Sequence, residues 1–213
     1  MISDADFDAL CRRLYLQVKD GPVDREAAFD LACQVLSFQP LAADATELAR
    51  LCLEDGNESG LTAAARTLLS EHFQPGFAEE PGWLSALEEA LEVVNRDMRA
   101  CGLRGTGHFL ILDPRHAWVQ VSDHHNSHGF GCHPTAGRDP VTALATVADD
   151  AQDAVMHAIG GAWPVCDAHS LGTHAKERDG AAVWWCSGGG GHVAAAIGQW
   201  PGTERQTPRL DGR

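Results

Sequence analysis

Cys166, His169, His174, Cys186 and His192 fall within 27 residues of a 213-residue chain. Thiolate and imidazole are the ligand types that zinc prefers, and four of them fill a tetrahedral shell. Two form the short pair Cys166-Asp167-Ala168-His169, whose spacing can direct both side chains at one ion. Cys186 and His192 flank the run Ser187-Gly188-Gly189-Gly190-Gly191. If strands run up to Cys186 and away from His192, the two residues stand opposite each other at a hairpin mouth, with Cβ atoms about 5 Å apart. Sixteen residues separate His169 from Cys186, a spacing typical of the two halves of a zinc site. The fourth position is contested between His192 and His174. A filled fourth position makes the site structural. A vacant one leaves room for water and for metal-assisted hydrolysis. The competing interpretation makes Cys166 and Cys186 small buried hydrophobes with histidines near the surface.

A second group lies at Asp123-His124-His125-Asn126-Ser127-His128 and Cys132-His133. It reads as a polar loop. Its alternative is a general-base or metal site beside the Cys/His cluster, which would make the protein a metal-dependent hydrolase. The zinc-deaminase and His-Glu-x-x-His arrangements are absent. The glycine run lacks the Lys-Ser/Thr of a phosphate-binding loop and reads as a flexible hairpin tip. Asp149, Asp150 and Asp153 read as the solvated face of a helix.

The segment Trp163-Pro164-Val165-Cys166-Asp167-Ala168-His169, followed by Ala182-Val183-Trp184-Trp185-Cys186, resembles a zinc ribbon. It is also similar to segments of uncharacterised actinobacterial proteins that carry W-P-x-C-x-x-H and A-V-W-x-C. The likeness covers about a sixth of the chain, implies a zinc-ribbon-like hairpin, and implies no activity. The second pair, C-x5-H, departs from the C-x2-C of a ribbon.

The elements that must position these residues follow from periodicity. Phe7, Leu10, Cys11, Leu14 and Val18 fall at helical spacing, and further helices follow Pro22, Asp44 or Thr46, Leu61 and Pro81. Cys11, Cys33, Cys52 and Cys101 fall on or near apolar helix faces. Residues 107–112 and 117–122 alternate as a hairpin around Asp113-Pro114-Arg115-His116. Asp139-Pro140 supplies a cap and a first-turn proline for a helix ending at Gly160-Gly161. Residues 181–186 and 192–197 are short strands. Adjacent strand residues face opposite ways, so one of Trp184 and Trp185 enters the core. The expected class is α+β: an acidic helical region over 1–102, then an α+β region over 103–200 of hairpin, helix and zinc-ribbon-like hairpin, then a disordered tail over 201–213.

The net charge of −14 is uneven. Residues 1–102 carry 19 acids and 8 bases, a net of −11, whereas residues 103–213 carry 11 and 8, a net of −3. Such a chain is not suited to phosphate backbones or anionic membranes, and favours a basic protein partner. No apolar run suggests a signal peptide or a membrane span. Seven cysteines, an odd number, fit a reducing cytoplasm. The expected function is a non-enzymatic, zinc-stapled interaction or regulatory module, with a metal-dependent hydrolase as the alternative. A metal sensor is a third class.

Overall fold

Ser3, Asp24 and Asn57 each turn a side-chain oxygen onto the first free N–H groups of a helix, fixing where α1 (Asp4–Asp20), α2 (Arg25–Phe38) and α4 (Glu58–His72) begin. The computed structural model describes residues 3–54, 56–103, 105–113, 115–121 and 130–202. Within this range α3 (Ala43–Cys52) lacks such a cap. Its N-terminal flank is Ala42, and neither Asp44 nor Thr46 takes the capping position anticipated for it. The chain divides into two compact units, Met1–Pro75 and Gly76–Arg213.

In the first unit, helices α1 to α4 bury Leu14, Leu31, Val35, Leu48, Leu61 and Leu68 in one cluster. Cys11 belongs to it, and burial pushes its thiol up to about 12. Cys33 does not belong: it is exposed, one helical step off the apolar stripe of α2.

The second unit begins with α5 (Pro81–Ala100), so it starts before the change in composition at residue 102. The reason lies in the buried face of α5, where Leu87, Leu91, Val94 and Met98 share a core with Val119, Val147, Trp163 and Trp184. Next come β1 (Gly107–Asp113) and β2 (His116–Val121), an antiparallel hairpin pairing Gly107 with Val121 and Phe109 with Val119. A short 3-10 turn over Pro134–Arg138 leads to α6 (Pro140–Ile159). Asp139 caps α6 and Pro140 occupies its first turn, and Gly160 ends it with φ +64°. Two further sheets follow. One pairs β3 (Val165–Cys166) with β4 (Leu171–Gly172), and the other is a meander of β5 (His174–Arg178), β6 (Ala181–Cys186) and β7 (His192–Ala196). The architecture is α+β, a helical bundle followed by small antiparallel sheets packed with helices. Among the described residues no helix is long and apolar enough to cross a membrane. Of the tail, residues 203–213 lie outside the described range.

Sheets of two or three short strands are marginal in water. Here they are tied down by four buried side chains, two on each helix of the second unit. On α5, Asn95 donates to the Gly107 carbonyl at 3.2 Å and accepts from its N–H at 2.7 Å. Asp97 is 1% exposed and accepts from the Trp184 indole N–H (2.7 Å), the Gly198 N–H (2.7 Å) and the Trp200 N–H (2.8 Å). On α6, Asp150 accepts from Val119 (2.6 Å) and Gly131 (3.0 Å), and the Gln152 amide donates to the carbonyls of Trp163 and Thr173. Asp150 is therefore not on a solvated face: at 5% exposure it points inward to bond strand backbone.

Two consequences can be measured. Asp97→Asn replaces an all-acceptor group serving three donors with one that also presents N–H groups, and should lower unfolding free energy by about 2–3 kcal/mol in urea titrations. An unchanged stability would contradict the tether. Burial raises the Asp150 carboxyl from the ordinary 3.8 to about 6, opposed by its two N–H bonds. Between these values the folded state holds a proton that the unfolded state has released. The contribution is therefore present below pH 4 and lost as pH rises through 6, a decline of about 2–3 kcal/mol. Asp150→Asn should lack this component when stability is compared from pH 4 to 7.

Candidate metal centre

The Cys166–His169 pair is shaped by a tight reversal. Cys166 pairs with Leu171, the Ser170 N–H donates to the Cys166 carbonyl at 2.8 Å, and Ser170 takes φ +54° to close the turn. This loop is held from below. The Thr173 N–H and hydroxyl both donate to the Pro164 carbonyl, and Gln152 of α6 holds the carbonyls on either side, at Trp163 and Thr173. The second pair comes from the meander, where Cys186 is the direct cross-strand partner of His192. Its base is fixed as well: Trp184 packs edge-on against Trp163, with centroids 5.3 Å apart, and is tethered to Asp97. Both pairs are thus fastened to the α5–α6 core before they meet each other.

They do meet. One ligand atom from each of Cys166, His169, Cys186 and His192 lies within 4.8 Å of the others, an arrangement that could hold a metal ion. Cys166 Sγ is 3.5 Å from His192 Nε2 and 3.8 Å from His169 Nδ1, and Cys186 Sγ is 3.5 Å from His169 Nδ1. The two cysteines are buried and unpaired by any disulfide, while His169 is exposed and His192 half-buried. The sulfurs thus sit inward and the rings close the outer side. The Gly188 N–H points at Cys186 Sγ from 3.4 Å.

His174 is not in this group. It opens β5 opposite Trp185, one position from Cys186, and strand alternation turns it to the other face of the sheet. Strand β5 was not anticipated: His-Ala-Lys-Glu-Arg has no apolar alternation to announce it. Trp185 lies on that outer face with the Arg178 guanidinium 4.3 Å from its ring centroid, while Trp184 is fully buried.

Of the histidine loop, His124, His125 and His128 lie outside the described residues. The two described members have other tasks. Cys132 is buried in a bridge to Ala117, and burial pushes its thiol far above the ordinary range. The His133 ring caps the 3-10 turn through Thr135 and lies beside His116, and burial lowers its pKa.

The glycine run is more than a loose tip. A Cβ built at Gly188 would lie 2.5 Å from His169 Cγ, and one at Gly189, where φ is +63°, 2.8 Å from its Nε2. The backbone therefore approaches the imidazole as closely as only glycine permits. The signal was in the sequence, as four consecutive glycines beside Cys186, but nothing there connects them to His169.

No protein-family model, curated protein or solved structure matches the chain.

Gly188→Ala must displace the His169 ring. It should weaken affinity for added zinc by about 10- to 100-fold in a chelator competition titration. Unchanged affinity would mean that the glycine backbone does not position this histidine.

Proposed function

We propose that the second unit is a zinc-stapled interaction or regulatory module and not a catalyst. The observation that supports this best is the set of sulfur–nitrogen spacings. A zinc ion with bonds of about 2.3 Å to sulfur and about 2.0–2.1 Å to nitrogen, at tetrahedral angles, sets S and N about 3.5 Å apart. The spacings here are 3.5, 3.5 and 3.8 Å. The donor set also suits zinc in its chemistry, since two thiolates and two neutral imidazoles balance the charge of a divalent ion.

Four protein ligands leave no coordination position for water or substrate, so the ion supplies folding energy and no Lewis-acid chemistry. It would join the reversal around Cys166 to the mouth of the β6–β7 hairpin, two short segments with little apolar surface of their own. Binding requires reduced thiols, which fits a reducing compartment. The likeness to zinc-ribbon-like segments of uncharacterised actinobacterial proteins points the same way and assigns no activity. The interaction role rests on the acidic composition and on the closed character of the site.

Elemental analysis of the purified chain should find about one zinc per molecule. Cys166→Ser and Cys186→Ser should lose both the metal and the cooperative unfolding of the second unit. Wild-type protein without stoichiometric metal would overturn the proposal. Metal lost with folding intact would replace the structural role with a sensing one.

A further inference from the structure

Beside α5 lies a groove of about 540 Å³, lined by Ser85, Glu88, Glu89, Leu91 and Glu92 of the helix and by Gly107, His108, Phe109 and Ile111 of β1. No residue of β2 contributes to it. From these walls we infer that the groove receives a basic peptide segment of another protein, bound in extended form as an added strand on β1.

Three independent features carry this. The first is an open strand edge. Among the described residues β1 pairs with β2 alone. Gly107 turns its N–H and carbonyl away from β2, since both bond to the Asn95 amide. An antiparallel ladder alternates, so Phe109, two residues on, also turns its N–H and carbonyl away from β2. Asn95 thus satisfies the edge at Gly107 as a peptide group of a neighbouring strand would, and among the described residues the edge beyond it is open for a real strand to continue.

The second is apolar surface where a strand's alternate side chains would rest. Ile111 is 45% exposed, large for an isoleucine beside an otherwise filled core, and the groove also contains Leu91 and Phe109. The third is charge. Glu88, Glu89 and Glu92 are all exposed, and among the described residues none forms an ion pair. They make one wall of the groove anionic, complementary to lysine or arginine on an incoming segment. The same charge argues against a second copy of this chain as occupant: each copy carries −14, and edge-to-edge pairing would bring the glutamate walls of both together.

This inference rests on the proposed interaction role but on none of the metal ligands. Zinc content measured on the same samples therefore separates failure of the groove from failure of the staple. The probe is a fluorescein-labelled peptide of about eight residues alternating lysine and valine, titrated with the full chain and read by anisotropy. Two control peptides are an alternating glutamate–valine sequence and the lysine–valine sequence N-methylated at alternate peptide groups, which removes its backbone donors. Binding should be confined to the unmodified basic peptide. It should weaken about tenfold or more when Glu88→Gln, Glu89→Gln and Glu92→Gln are combined, with zinc content and unfolding midpoint unchanged. An Ile111→Lys variant should weaken it as well. Absence of binding, equal binding of the N-methylated peptide, or insensitivity to the glutamate substitutions would overturn the inference. Dimerisation of the chain through this edge, detected by light scattering without peptide, would also overturn it.

Discussion

Four buried side chains on two helices hold this second unit together. Asn95, Asp97, Asp150 and Gln152 reach from α5 and α6 to backbone groups of strands and turns that have too few residues to stabilise one another. A buried N–H or carbonyl without a partner costs about 1–3 kcal/mol, so each polar tether removes a penalty that apolar packing could not. Asp97 shows the logic most clearly. Its two oxygens collect the indole N–H of Trp184 and two backbone N–H groups from the chain after β7. This fixes the hydrophobic centre of the meander and its exit in one stroke. The arrangement is stable while every donor is matched and vulnerable wherever one acceptor is lost.

The Cys/His centre extends the same construction to its outer end. The helices hold the bases of the Cys166 reversal and the β6–β7 hairpin, and the tips of both must still be joined. An apolar contact cannot do this, because the tips consist of glycine, serine and exposed loop. Ligand atoms can. With both cysteines buried, His169 exposed and His192 half-buried, the sulfurs face inward, where the Gly188 N–H meets one of them. The glycine run belongs to this geometry: it lets backbone come against the His169 ring, and no other residue would fit there without moving it.

Much of this was legible in the amino-acid order. Helical periodicity located the six α-helices of the described residues, Asp139-Pro140 marked the start of α6, and strand alternation gave the β1–β2 hairpin and the division of labour between Trp184 and Trp185. The pairing of Cys186 with His192 followed from a hairpin read correctly on either side of the glycines. What was not legible has a common cause: a polar residue looks the same in sequence whether it faces water or a buried N–H. Asp150 resembles its neighbours Asp149 and Asp153, and only the packing of β2 against α6 reveals it as a tether. For the same reason β5, nearly all polar, left no pattern, and without its register His174 could not be separated from His192. The division of the chain at Pro75 was hidden because α5 is as acidic in composition as the residues before it, while its apolar face belongs to the core of the second unit.

The proposed staple is a single ion bound by two sulfurs and two nitrogens in a closed shell. X-ray absorption at the zinc edge of the purified chain measures that shell directly. A closed shell gives two sulfur scatterers at about 2.3 Å and two imidazole nitrogens at about 2.0–2.1 Å, with no oxygen. A shell with a water oxygen, or with fewer than two sulfurs, would contradict it.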